Sequence, residues 1–201
     1  MSAQLPLALA STIRHDGNGG VADDLGDVAG LTRWLDEQAE PLREYVGGRD
    51  PLVGVADEQT RLEVVAVRRA TRTLFAVAVR PGPPSRADSS SLLTPPAAVD
   101  RLNRAAGLLP VRPVLSWPEQ GAPTLSWQGE ASTARQRLVA GLARSAVEFL
   151  ASPARDLLRA CPAPRCVRYF VKDHVRQEWC KPSCGNRARV ARHYQRHSAT
   201  R

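Results

Sequence analysis

The chain has 201 residues, 43% of them hydrophobic but only 5% aromatic, so a real core is expected and must be built from Ala, Val and Leu with a few Trp anchors. No apolar run approaches the ~18 residues of a membrane span, and MSAQLPLALASTIRHD has no charged start before its short apolar patch. A membrane protein and a secretory leader are not expected, and a cytoplasmic setting is the default. Net charge is +8 but unevenly spread: residues 1–150 hold 16 Lys+Arg and 17 Asp+Glu (net −1), and residues 151–201 hold 12 and 3 (net +9). Such asymmetry points to a polyanion partner for the tail, against the bland reading of a merely soluble basic end.

LPLALA at 5–10 reads as a strand, and HDGNGG at 15–20 as a turn, because Asn and Gly tolerate positive φ. DVAGLTRWLDEQAE at 27–40 places Val28, Leu31, Trp34 and Leu35 on one helical face, with Pro41 as a stop. A longer helix is predicted from about Asp57 to Val79, with Leu62, Val65, Leu74 and Val77 as its buried stripe and Asp57 and Glu58 at its positive end. PGPPSRADSSSLLTPP at 81–96 is Pro/Ser-rich and is expected to be a loop or mobile stretch.

The segment 94–107 is predicted to be a helix capped by Thr94, opened by prolines and ended by Gly107. PVLSW (113–117) and PTLSW (123–127) read as a β-hairpin with Trp117 and Trp127 near the strand ends. From about Ser132 to Ala151, Leu138, Leu142, Ala146 and Phe149 recur at helical spacing. Ser152-Pro153 then suggests a new cap and a short helix carrying Leu157 and Leu158 up to Cys161. Trp34, Trp117 and Trp127 are either plain core or the lining of a small-molecule pocket.

All four cysteines fall between 161 and 184, in the pattern Cys161-x4-Cys166-x13-Cys180-x3-Cys184. Two close pairs joined by a short span suit tetrahedral zinc, each pair on a tight knuckle. The alternatives are disulfides, which a cytoplasmic setting disfavours, or buried free thiols. VRYFVKDHVRQEW between the pairs reads as strand, turn, strand, with Tyr169, Phe170 and Trp179 available to pack around the site and Lys172-Asp173-His174 as the turn. His174 is a possible replacement ligand, and His193 and His197 stand at i,i+4. A module this small lacks a self-sufficient core, so the metal would supply folding energy. A four-thiolate site has no open position and is structural rather than catalytic. The first 150 residues add one histidine, no cysteine and no paired-carboxylate motif, so no enzyme is expected.

Cys-Gly-Asn-Arg at 184–187, after Trp179-Cys180 and preceded by the Cys161/Cys166 pair, resembles the CGNR zinc-finger family over roughly 159–197. The resemblance implies a C-terminal finger on a bacterial transcription regulator, with an N-terminal, mainly helical ABATE domain associated with stress-induced regulation. It singles out Trp179, Gly185 and Asn186 as structural motif positions. The expected fold is mainly α with a small β component (α+β): a helical regulatory domain over 1–150 and a zinc-finger module over 151–201.

RARVARHYQRH at 187–197 has good helix formers and no breaker. Val190 and Tyr194 are expected to face the finger's hairpin, while Arg189, Arg192 and Arg196, with His193 beside them, form a second face suited to phosphates and guanine edges. Asn186 is expected to bond backbone, and Arg187 either to brace the knuckle or to reach phosphate. The expected function is a DNA-binding transcription regulator with one structural Zn²⁺, binding double-stranded DNA, with an effector or partner domain and a possible homodimer. The alternative is a protein-interaction module docking on acidic surfaces of the transcription machinery.

Overall fold

The computed structural model describes residues 4–46, 52, 54–88, 92–129 and 132–198. It is mainly α, with three two-stranded antiparallel sheets, in agreement with the expected class. No described helix is long and apolar enough to cross a membrane.

The chain opens with a helix, α1 (Gln4–Ser11), where the sequence reads as a strand. A six-residue apolar run does not distinguish helix from strand. Here Leu5, Pro6, Leu9 and Ala10 are buried while Leu7 is only partly covered, which is helical spacing and not the alternation of a strand. Thr12 then leads into β1 (Ile13–His15), paired with β2 (Val21–Asp23) across the expected turn. Gly17 and Gly19 take φ of 98° and 107°, and the Asp16 carboxylate accepts the amides of Asn18 and Gly20.

Asp27 caps α2 (Val28–Glu37), accepting the Gly30 amide at 2.6 Å. Pro41 does not stop this helix. The break falls at Gln38, and Pro41 lies in the first turn of α3 (Ala39–Val46), where a proline's missing N–H costs nothing. Asp57 caps α4 (Glu58–Ala78), the longest helix. Its buried stripe is Thr60, Val64, Val67, Thr71 and Phe75, not the one expected: Leu62 is exposed, and Val65, Leu74 and Val77 are only partly covered. The stripe is rotated because Arg68 and Arg72, polar by type, are buried on it with carboxylate partners.

Thr94 caps α5 (Pro95–Ala106), which ends at Gly107 as expected. The hairpin β3 (Val111–Ser116) and β4 (Thr124–Gly129) follows, with Leu115 opposite Leu125. Trp34 lies in the main core while Trp117 is 71% exposed, so they do not share a pocket. A capping box between Thr133 and Gln136 opens α6 (Ala134–Ala151), whose Leu138, Leu142, Ala146 and Phe149 are buried as predicted. Helix α4 packs on α5 and α6, with α3 also on α6 and α1 across α4 and α6.

Past α6 a 3-10 turn (Pro153–Leu157) gives way to β5 (Leu158–Ala160) rather than continuing as a helix to Cys161. β5 pairs with β6 (Tyr169–Val171), and α7 (Pro182–Ser198) closes the described chain. The finger's hairpin is therefore β5–β6, flanking the first cysteine pair. The expected second strand before Trp179 is replaced by turns.

Strand alternation sends β6 into two cores. Tyr169 joins Ala10, Phe75, Val79, Phe149 and Leu158, and Phe170 joins the cysteines. Tyr169, expected near the metal, instead meets Phe75 edge-on with ring centres 5.4 Å apart. The Pro/Ser-rich stretch is also more ordered than expected up to its 3-10 turn, Arg86–Asp88. Ser85 and Asp88 are buried there, while residues 89–91 of that call lie outside the described residues.

Candidate metal centre and basic helix

The first knuckle is built by backbone. The amide of Cys161 donates to the carbonyl of Arg168 at 2.9 Å, and that of Cys166 to Ala163 at 3.0 Å. Arg165 sits at φ 62°, the left-handed region, which turns the chain tightly enough to return Cys166 toward Cys161. The second pair straddles a helix start: Cys180 precedes α7 and Cys184 is its third residue, with its amide bonded to the Lys181 carbonyl at 3.0 Å. A helix N-terminus favours a thiolate.

The four Sγ atoms all lie within 4.8 Å of one another. Cys166 and Cys180 approach to 3.7 Å, and Cys180 and Cys184 to 3.5 Å. Tetrahedral zinc with Zn–S of about 2.3 Å sets sulfurs about 3.8 Å apart, so the donor set fits that ion in both chemistry and size. Contact with the Cys166 and Cys180 sulfurs holds the Cys161 thiol far below its ordinary range, and the amides of Cys180 and Ala163 add to this. The Cys180 thiol is pushed up by Cys161 and Cys166. Sulfurs this close cannot all ionise without a cation between them. The cluster is a site for one structural zinc; four thiolates would complete its shell and leave no open position for substrate. His174 is exposed and stands outside the cluster.

The motif residues around the cysteines have separate jobs. A Cβ on Gly185 would lie 2.9 Å from Cδ1 of Trp179, so the indole rests directly on the glycine. Trp179 and Phe170 cover the cysteines, with Trp179 only partly buried. Arg187 turns inward and donates from a terminal nitrogen to Cys184 Sγ at 3.2 Å, so the geometry gives it the bracing role rather than a place on the outer face. A guanidinium beside a thiolate offsets the charge of a four-sulfur site. Asn186 does not bond backbone as expected; its side-chain oxygen accepts from the Arg189 guanidinium, one turn on.

Helix α7 meets the finger through Cys184, Gly185 and Ala188. Val190 and Tyr194, expected to pack, are 54% and 70% exposed. The covered face is centred on Cys184, and at 100° per residue Val190 and Tyr194 fall well away from it. Arg189, Arg192, His193 and Arg196 are exposed, and the arginines share one face. Arg192 reaches back to the Ala188 carbonyl at 3.5 Å, and the His193 and Tyr194 rings meet edge-on. The side chain of His197 lies outside what is described.

Sequence reasoning missed the polar groups that join the finger to the helices. Arg72 and Asp88, each 3% exposed, pair at 2.7 Å. Arg72 also donates to the carbonyls of Ala10 at 2.5 Å and Val167 at 3.3 Å. The Tyr169 hydroxyl donates to Asp88 at 2.7 Å, and the Ser85 hydroxyl to the Val167 carbonyl at 2.8 Å. The one available signal was the arginine pair at i,i+4 in an otherwise apolar-faced helix.

No curated protein matches the chain. Residues 158–197 match the family model described as "CGNR zinc finger", and residues 3–153 match the ABATE model, described as "Putative stress-induced transcription regulator". The chain thus belongs to the ABATE family and carries a CGNR zinc finger over residues 158–197.

Proposed function

We propose that this chain regulates transcription by binding duplex DNA through α7, with the finger over 151–201 as the DNA-binding module and residues 1–150 as the effector or partner domain. The observation that carries the reading is the division of labour on α7. One face is anchored to the metal knuckle through Cys184 and Ala188, and the face beside it presents Arg189, Arg192, His193 and Arg196 to solvent. A rigidly mounted arginine face suits phosphates and the guanine edge in a major groove. The charge of residues 151–201, net +9, supports the same partner. One finger makes a small footprint, so a homodimer or help from the first domain completes a specific site.

The test is duplex binding by the zinc-loaded full chain as a function of salt. Each phosphate neutralised adds about 0.9 to the slope, so Arg192→Ala/Arg196→Ala flattens it by about one to two units with zinc content intact. Unchanged binding at every salt concentration overturns the reading. The exposure of Val190 and Tyr194 favours one second reading, docking of the same helix on an acidic protein surface with an apolar centre. That reading requires binding without dependence on DNA.

A further inference from the structure

We propose that Cys180 is a peroxide-reactive position, and that its oxidation by a small hydroperoxide expels the zinc and opens the finger. The four sulfurs are not equivalent. Cys184 Sγ accepts the Arg187 guanidinium at 3.2 Å. A hydrogen bond to a thiolate withdraws the electron density with which it attacks. Cys180 Sγ is in contact with the sulfurs of Cys166, at 3.7 Å, and Cys184, at 3.5 Å.

Access separates the cysteines in the same direction. Cys161, Cys166 and Cys184 are buried, and Cys180 is partly exposed. A cleft of about 390 Å³ between α1 and β6 is lined by Gln4, Leu7, Phe170, Arg168, Asp173 and Cys180. Cys180 is the cysteine on that wall. The cleft has room for a small polar oxidant, and Arg168 and Asp173 are among the residues that line it. Reactivity at cysteine requires access, and Cys180 is the one of the four ligands that is not buried.

The step balances. Cys180 Sγ attacks one peroxide oxygen, the O–O bond breaks, and the sulfur is oxidised by two electrons to a sulfenic acid. The departing oxygen takes a proton and leaves as water, or as an alcohol from an organic peroxide. A neighbouring thiolate, Cys184 at 3.5 Å or Cys166 at 3.7 Å, then attacks the oxidised sulfur. The S–O bond breaks, hydroxide leaves as water after protonation, and a disulfide remains. Two of four ligands are lost, which releases the metal that holds the module together.

The experiment uses the zinc-loaded full chain titrated with hydrogen peroxide, with zinc release followed by a chromogenic chelator and early thiol loss mapped by alkylation and mass spectrometry. The expected result is release of bound zinc, Cys180 as the first thiol lost, a disulfide containing Cys180, and recovery with reductant plus zinc. Zinc retained under excess peroxide, equal loss of all four thiols, or a first disulfide between Cys161 and Cys166 overturns the proposal. A Cys180→His variant keeps a metal ligand without the sulfur, and its zinc release is expected to slow several-fold. If that variant fails to hold zinc, the order of thiol loss in the parent chain still decides.

Discussion

Arg72, in the middle of the longest helix, donates to the carbonyl of Val167, the residue that follows metal ligand Cys166. Ser85 donates to the same carbonyl, and Tyr169, two residues further, closes on Asp88. The first cysteine knuckle is thereby tied to the helical domain through a buried polar network, with a guanidinium at its centre. Any rearrangement of α4 or of the 85–88 turn has a direct mechanical path to the finger.

Removing one partner of that pair leaves a buried charge uncompensated, which typically costs about 3–5 kcal/mol. Asp88→Ala is expected to destabilise the chain by that order in denaturant unfolding. Arg72→Met/Asp88→Leu is expected to recover much of the loss, since neither charge then remains in the core. A double variant as unstable as Asp88→Ala would show that the network is needed for the fold itself.

Tyr169→Phe keeps the ring against Phe75 and removes only the hydroxyl on Asp88. Hydrogen bonds to charged groups contribute about 1.5–3 kcal/mol, and a loss of that size is expected with zinc binding retained. Stability unchanged on thermal unfolding would mean water replaces the hydroxyl.

Gly185→Ala drives a methyl into the indole of Trp179, at 2.9 Å. Overpacking of this kind costs about 1–3 kcal/mol. Weaker zinc retention in chelator competition is expected, with a red-shifted tryptophan emission as the indole swings toward solvent. Gly185→Ala/Trp179→Leu is expected to regain part of the affinity, because the smaller side chain relieves the clash.

Val190→Ser and Tyr194→Ser are expected to leave thermal stability and zinc content unchanged, because both side chains already face solvent. A loss of zinc in either variant, measured by elemental analysis, would place these side chains in the finger's packing.

Two groups set pH limits. Burial alone would raise the Asp23 carboxyl, but the hydrogen bond and charge of Arg68 outweigh it and hold the group low. A depressed folded pKa contributes stability that is complete above the unfolded value, about 3.9, and is lost as pH falls through the folded one. The Tyr45 phenol is pushed up to about 12, first by burial and then by Glu148 and Glu44. Its contribution is complete below the unfolded value, about 10, and fades as pH rises through 12. Tyr45→Phe is expected to flatten the alkaline limb of a pH–stability curve and leave the acid limb unchanged.

Much that depends on neighbours within a turn was legible in the sequence. Asp57 and Thr94 mark helix starts, the α6 stripe is in phase, the HDGNGG turn folds as read, and the cysteine spacing alone specifies two knuckles that meet. These are local instructions: a cap acts on amides two or three residues away, and a knuckle is closed by its own backbone. The tertiary structure decided what those instructions leave open. α1 is a helix because Leu5 and Leu9 enter one core while Ala10 enters the next, and α4 rolls to bury Arg68 and Arg72 because Asp23 and Asp88 arrive from distant segments to pair them. Arg187 turns to Cys184 while Val190 and Tyr194 stay in solvent, because the finger covers only the face of α7 that carries the ligand. Burying a charge is unfavourable until its partner is in place, and here the carboxylates that decide it lie 16 and 45 residues away along the chain.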